Sequence, residues 1–310
     1  MPVKAVIDIG TNSTKLIVAD ADGSVLADRS EITRLGEGVS LNGRLSSLAM
    51  RRTSETIADM AGIARTLGCN EVIAVATQAV RAAVNAGDFV DMVGADTELE
   101  VKVISGDEEA NLSFLAVVSL FSDTLNDKKL TVFDVGGGSS EVVAGRPSER
   151  AASRSFPIGA LSLHNEIFAG CDPACPVHSD IIGAAFRKVA DIFNEKERGY
   201  GHGDAITVGV GGTITALAAV KLLADKKNTR KAVMCELTLD DITEQIELYS
   251  SLPIEGRKKI KGLNPKRADI ILAGACVVLG LLKFTGFRAL LAVDRGLRYG
   301  VMEKYFGIKI

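Results

Sequence analysis

Tryptophan is absent from the 310-residue chain, and Phe, Tyr and Trp together make up only 5% of it. No aromatics interleave its basic runs, which argues against recognition by base stacking. Long apolar runs are missing too. The longest, Ile270–Leu282, falls short of the roughly 18 residues a membrane span needs and reads as a buried helix. Residues 1–9, MPVKAVIDI, lack the long apolar stretch and small-residue cleavage site of a signal peptide. The five cysteines (Cys69, Cys171, Cys175, Cys235, Cys276) are odd in number and scattered. They suit a reducing, cytoplasmic setting better than a disulfide framework. An excess of positive charge is also lacking: 36 Lys and Arg stand against 39 Asp and Glu, a net charge of -3. A generally basic nucleic-acid binder and a membrane protein are therefore not expected.

Other active-site types lack their parts as well. Cys171, Cys175 and His178 do not form a CxxC pair, and His164 or Cys235 would have to complete a zinc set. His164 and His202 form no visible triad with Ser and Asp, so a triad hydrolase is not expected.

What the chain does contain is ample apolar material (47%) and 31 glycines in 310 residues, above the usual share of about 7%. At roughly 100–200 residues per domain, the length suits two domains. Strand and helix patterns alternate, which predicts layered α/β structure. KAVIDIG, TKLIVAD and SVLADRSEITRLG read as an antiparallel meander. Residues 46–67 read as a helix whose apolar positions are Leu48, Ile57, Met60, Ala64 and Leu67. EVIAVAT and LEVKVIS read as strands, and a helix opens at GDEEANLSFL.

An internal repeat organises these elements. VIDIGTNSTKLIVAD (6–20) matches VFDVGGGSSEVVAGR (132–146), with Val6/Val132, Asp8/Asp134, Gly10/Gly136 and Ser13/Ser139 in register. The copies lie 132 − 6 = 126 residues apart, a domain-sized spacing. Two related domains are expected, residues 1–124 and 125–310, joined in the polar stretch 122–129, with the final helix a candidate to pack back on the first.

Each copy reads as a strand ending in Asp and turning back through Gly and Ser or Thr. Such a turn serves as a plain hairpin, and it also lines up N–H groups as an anion nest. Asp8 and Asp134 can hold a divalent cation, since Mg²⁺ takes one or two carboxylates plus phosphate and water oxygens. A third glycine turn, Gly209, Gly211 and Gly212 before Thr213, opens an apolar helix. It either presents a helix N-terminus to an anion or is simply capped by Thr213. At 105–111, Ser105 reads as an N-cap with Glu108 as its capping-box partner, which leaves Glu109 as the carboxylate without a structural duty. Arg257, Lys258, Lys259, Lys261, Lys266 and Arg267 form an acid-free basic stretch, and KKNTRK (226–231) adds four charges. These runs are solvated faces or a path for a polyanion.

In order along the chain stand DIGTNS (8–13), TRLGEGV (33–39), ATQAVR (76–81), ISGDEEA (104–110), DVGGGSSE (134–141), SFPIGA (155–160), GVGGT (209–213) and GLNPKRAD (262–269). From about residue 4 to 305 the chain resembles the exopolyphosphatase/guanosine pentaphosphate phosphohydrolase (Ppx/GppA) family, relatives of actin-like ATPases. The resemblance implies an α/β fold of two actin-like (ribonuclease H-like) domains with a cleft between them. It implies removal of the terminal phosphate of polyphosphate, or of the 5′-phosphate of guanosine pentaphosphate. A polyphosphate- or alarmone-binding sensor without turnover is the alternative of another class.

By motif position the resemblance makes Glu109 the catalytic base and assigns metal to Asp134 and Glu141, to which the reading of the repeated turn adds Asp8. Phosphate would meet Gly10, Thr11, Asn12 and Ser13, then Gly136, Gly137, Gly138 and Ser139, then Gly211, Gly212 and Thr213. Arg34, Arg81 and Arg267 match the family's arginines. The implied cofactor is Mg²⁺ or Mn²⁺, with a monovalent cation such as K⁺, and the implied assembly is a homodimer. Many members carry a further helical C-terminal part. This chain ends just after DRGLRYG (294–300) and resembles the short form, which puts processivity on long polymers in question.

Overall fold

The structure, a computed structural model, describes residues 2–149, 151–194, 205–223 and 234–310. The basic run at 226–231 and His202 lie outside the described residues. The chain divides into unit 1, Met1–Thr124 with Arg295–Ile310, and unit 2, Leu125–Asp294.

Unit 1 is built on β1 (Val3–Ile9), β2 (Thr14–Asp20), β3 (Val25–Glu31), β4 (Cys69–Ala76) and β5 (Val101–Val103), in the order β3-β2-β1-β4-β5. The first three strands form the antiparallel meander, and β4 and β5 continue it in parallel. Side chains alternate across a strand, so β1 serves two cores at once. Ala5, Ile7 and Ile9 join one apolar cluster and Val6 joins another. A sheet covered on both faces needs such a continuous apolar strand.

The helix Ser47–Thr66 starts at Ser46, whose side chain accepts from the Ala49 N–H. It buries Met50, Thr53, Ser54, Ile57, Met60, Ala61 and Ala64. Two of the apolar positions expected from the sequence are corrected: Leu48 is 69% exposed and Leu67 is 36% exposed. At about 100° per residue, Leu48 stands about 200° away from Met50 and misses the buried stripe. Leu67 follows the last helical residue.

Unit 2 repeats the plan with β6 (Leu130–Val135), β7 (Ser140–Gly145), β8 (Ala152–Phe156), β9 (Ile206–Val210), β10 (Cys235–Thr238) and β11 (Ala289–Ala292). Its order is β10-β11-β9-β6-β7-β8. Strands β8-β7-β6-β9-β11 match β3-β2-β1-β4-β5 in order and sense, and β10 adds an antiparallel edge. The apolar run found in the sequence is the helix Ile271–Thr285, buried almost throughout at the centre of this unit. Both units are α/β domains of the actin-like, ribonuclease H-like plan.

The repeat holds in atomic detail. Gly10 N–H donates to the Ser13 carbonyl at 3.0 Å, and Gly136 N–H donates to the Ser139 carbonyl at 3.0 Å. Asp8 opposes Lys15 in one hairpin, and Asp134 opposes Glu141 in the other.

The second unit ends at Asp294 rather than at 310. The final helix, Leu297–Phe306, belongs to unit 1, where it packs on the helix Gly106–Leu120. The two backbones touch at Gly300, where a Cβ would overlap the Leu112 carbonyl. Arg298 and Tyr299 reach Asp28 of β3 at 3.0 and 3.2 Å and hold the helix to the sheet.

Candidate active site

In unit 1 the candidate residues gather where β1, β4 and β5 end. Thr77 N–H donates to the Ile9 carbonyl (3.1 Å) and Ile104 N–H to the Ala76 carbonyl (3.0 Å), so the three strand ends are adjacent. The carboxyl edge of the strands is where open α/β sheets take ligands.

After β4 comes the short helix Gln78–Ala82, which carries Arg81. After β5 comes the helix Gly106–Leu120, which carries Glu109 in its first turn. Arg81 Nη1 lies 3.2 Å from Glu109 Oε2 and donates to the Ile104 carbonyl at 2.8 Å. Glu109 is 9% exposed. A buried carboxylate is tolerable when a fixed cation stands beside it. Glu109, the carboxylate that the sequence left without a structural duty, is thus held beside Arg81.

Ser105 does cap this helix, accepting from the Glu108 N–H at 3.1 Å. The Glu108 carboxylate, however, does not complete a capping box. Its Oε1 takes Lys102 Nζ at 3.0 Å, Tyr305 OH at 3.0 Å and Lys304 Nζ at 3.3 Å. Burial alone would raise the Glu108 carboxyl, but these three donors outweigh it and hold it below the usual carboxylate range. The final helix thereby grips the helix of Glu109 at its first turn.

The turn Gly10–Ser13 is wrapped by the loop 33–38. Thr33 and Arg34 N–H donate to the Asn12 carbonyl, and Gly36 N–H donates to the Thr11 carbonyl. Arg34 holds φ at +49°, left-handed for a residue with a Cβ. Asn12 is 4% exposed, and both its side-chain amide atoms are buried without a partner. Buried polar groups are nearly always satisfied, so this amide has hydrogen bonds to give to a ligand or a water.

Asp8 is 4% exposed, and its Oδ2 lies 3.3 Å from Lys15 Nζ. The expected metal ligand therefore has a lysine for a neighbour. Lys15 was missed by reasoning from the sequence, although the repeat carries the signal: 15 + 126 = 141, so Lys15 occupies the place of Glu141 with opposite charge.

In unit 2, Asp134 and Glu141 oppose each other across β6 and β7, so their carboxylates share one face. Glu141 is 1% exposed and accepts from Ser155 Oγ at 2.7 Å. Gly211 follows β9 with φ at +95°, and a Cβ there would come within 2.7 Å of Asp134 Oδ1. Only glycine allows that approach. No side chain caps the helix Gly212–Lys221, so Thr213 does not play the capping role. The Arg267 guanidinium lies directly over Gly212. The Gly136–Ser139 loop is braced from behind: Ala160 N–H reaches the Gly136 carbonyl, and Leu161 and Ser162 N–H reach that of Gly137, at 2.8–3.0 Å.

The structure thus assembles two sets. Unit 1 holds Asp8, Gly10–Ser13, Arg34, Arg81 and Glu109. Unit 2 holds Asp134, Gly136–Ser139, Glu141, Gly211–Thr213 and Arg267.

Among the described residues, no three or more His, Cys, Asp or Glu side chains form a metal-holding group. Cys171, Cys175 and His178 do not form a zinc set. Cys175 Sγ meets Asp172 at 3.5 Å, and His178 meets Asp180 at 3.3 Å. The paired carboxylates Asp134 and Glu141 fit Mg²⁺, which needs no more than two from the protein.

The basic stretch is thinner than it looked. Arg257 is 3% exposed, and its Nε donates to the carbonyls of Tyr249 (2.5 Å) and Leu252 (3.1 Å). Burial pushes its pKa down. Lys258 pairs with Glu255 at 2.6 Å. Lys259, Lys261 and Lys266 are exposed.

Two α/β domains of one strand plan thus carry glycine turns at their strand ends, with a buried carboxylate beside an arginine in the first. The chain belongs to the Ppx/GppA phosphatase family, whose model matches residues 16–306. It is 31% identical over 287 residues to exopolyphosphatase 2 of Mycobacterium tuberculosis, covering 88% of each chain. It is 28% identical over 300 residues to a bifunctional 3-dehydroquinate synthase/phosphatase of Fusobacterium nucleatum. That match takes in 92% of this chain but spans only 44% of the longer protein. An Aquifex aeolicus Ppx/GppA family structure superposes with a TM-score of 0.77 at 29% identity, covering 98% of this chain and 97% of that one. No helix among the described residues is long and apolar enough to cross a membrane.

Proposed function

We propose that the protein is a metal-dependent exopolyphosphatase that hydrolyses the terminal phosphoanhydride of inorganic polyphosphate. The observation that carries this reading is Glu109, a buried carboxylate fixed beside Arg81 at the strand edge that also carries the Gly10–Ser13 turn. Water attacks the terminal phosphorus, and Glu109 accepts its proton as general base. The Asn12 amide and the loop N–H groups hold phosphate oxygens, and the arginines offset the charge that builds on them. Asp134 and Glu141 would hold Mg²⁺ or Mn²⁺, which when bound supplies positive charge for a phosphate group.

Names of relatives support this reading, since several are exopolyphosphatases at 26–31% identity. Guanosine pentaphosphate carries the same chemistry at its 5′ end. The test is phosphate release from long polyphosphate, tri- and tetraphosphate and guanosine pentaphosphate, each with and without Mg²⁺. Metal-dependent release that is fastest from polyphosphate is expected. Release from guanosine pentaphosphate alone would reassign the substrate, and binding without release would make the protein a sensor.

A further inference from the structure

Arg52 has no place in the chemistry just described, yet it touches the loop that carries Arg34. It projects from the helix Ser47–Thr66, and its side chain is 36% exposed. Its Nε donates to the Thr33 carbonyl at 2.6 Å, and its Nη2 donates to the Arg34 carbonyl at 3.4 Å. Nη2 also lies 3.3 Å from Glu37 Oε2. One guanidinium therefore spans residues 33, 34 and 37. A planar fork of fixed donors suits such a clamp, and the single ammonium of a lysine does not.

The loop needs a clamp. Arg34 sits at φ +49°, and a residue with a Cβ stays there only where its surroundings hold it. Three hydrogen bonds then pass from this loop to the turn: Thr33 and Arg34 N–H to the Asn12 carbonyl, and Gly36 N–H to the Thr11 carbonyl. Gly36 permits the approach, because a Cβ there would overlap the Thr11 side chain and crowd Ala79. The same loop thus supports Arg34, Thr11 and the unpartnered Asn12 amide.

We infer that Arg52 is a positioning residue: it fixes the left-handed Arg34 peptide, and through the loop 33–36 it sets the Thr11–Asn12 turn for phosphate. This rests on the reading that Arg34 and Asn12 meet phosphate. Because Arg52 acts on the binding loop and not on the base, its loss raises KM more than it lowers kcat.

The experiment compares wild type, Arg52→Ala, Arg52→Lys and Arg51→Ala, the last an exposed neighbour. Steady-state phosphate release from polyphosphate is measured with amide hydrogen exchange over residues 30–38. A charge-assisted hydrogen bond lost at each of two carbonyls predicts a KM rise of about tenfold or more for Arg52→Ala. Exchange at Thr33, Arg34 and Gly36 quickens, Arg52→Lys recovers only part of both effects, and Arg51→Ala matches wild type. In an Arg34→Ala background, Arg52→Ala raises KM by a smaller factor than in wild type, since part of its effect passes through Arg34 and the rest through the Thr11–Asn12 turn.

An unchanged KM, unchanged exchange, or fully multiplicative effects at 34 and 52 would overturn the role given to Arg52. If Arg52→Ala does not fold, Arg52→Lys carries the same comparison. Wild-type protein that releases no phosphate refutes the proposed function, and the exchange arm then decides whether Arg52 holds the loop.

Discussion

Replacing Gly300 by alanine should destabilise the protein, although helix propensity argues the other way. Gly300 lies inside the helix Leu297–Phe306, and in a helix interior Ala is favoured over Gly by about 1 kcal/mol. Its new Cβ would overlap the Leu112 carbonyl oxygen, with the Leu112 carbonyl carbon 2.6 Å away. Those are backbone atoms of the helix that carries Glu109, so no side-chain rotation relieves the overlap. The two helices must separate, and overpacking of this kind costs about 1–3 kcal/mol, occasionally more. With overlap this severe the upper part of that range applies, leaving a net loss of about 1–2 kcal/mol after the propensity gain. At about 2–4 °C per kcal/mol, Tm should fall by roughly 2–8 °C. Gly62→Ala is the matched control: it also lies within a helix, Ser47–Thr66, and its added Cβ meets nothing within 4 Å. Thermal unfolding of both variants by calorimetry makes the comparison, and Gly62→Ala should be neutral or stabilising. The reasoning is refuted if Gly300→Ala raises Tm as Gly62→Ala does.

Arg257→Met should cost about 2–4 kcal/mol in denaturant unfolding, because it leaves the buried Tyr249 carbonyl and the half-buried Leu252 carbonyl without their donor. If the residue were only part of a solvated basic face, the change would be nearly neutral. Glu108 predicts a pH effect. Its carboxyl is held low in the folded protein, so its contribution to stability is present above the unfolded value of about 4.3 and is lost as pH falls through the folded one. The stability gap between wild type and Glu108→Gln should therefore be widest near neutral pH and close on acidification below the unfolded value. A gap that widened as pH fell would contradict the assignment.

Much of the fold was legible because its signals are local. The meander, the strand–Gly–helix joints and the buried Ile271–Thr285 helix announce themselves in periodicity and turn residues. The repeat gave the two hairpin turns, since Asp, Gly and Ser recur at the same spacing and both turns close through the same Gly-to-Ser hydrogen bond. What escaped notice depends on distant parts of the chain. Arg257 sits in a run of lysines and reads as solvated until the Tyr249 and Leu252 carbonyls close around it. Arg52 is one of two adjacent arginines, and only the fold shows which of them faces the loop 33–37. Glu108 and Glu109 divided their tasks differently from the capping-box pattern, because Lys304 and Tyr305 lie about 196 residues further on. Lys15 was readable by comparison with Glu141, but the repeat was matched on its shared residues and not on its differences.

The central claim is that Glu109 is the base of a phosphoanhydride hydrolysis. It is tested most directly by the initial rate of phosphate release from polyphosphate by wild type and Glu109→Gln at equal protein and Mg²⁺ concentration. Thermal unfolding verifies that both are folded. The account predicts steady release by wild type and a kcat lower by about 100-fold or more for the variant. A folded Glu109→Gln protein with kcat within a few-fold of wild type would contradict it.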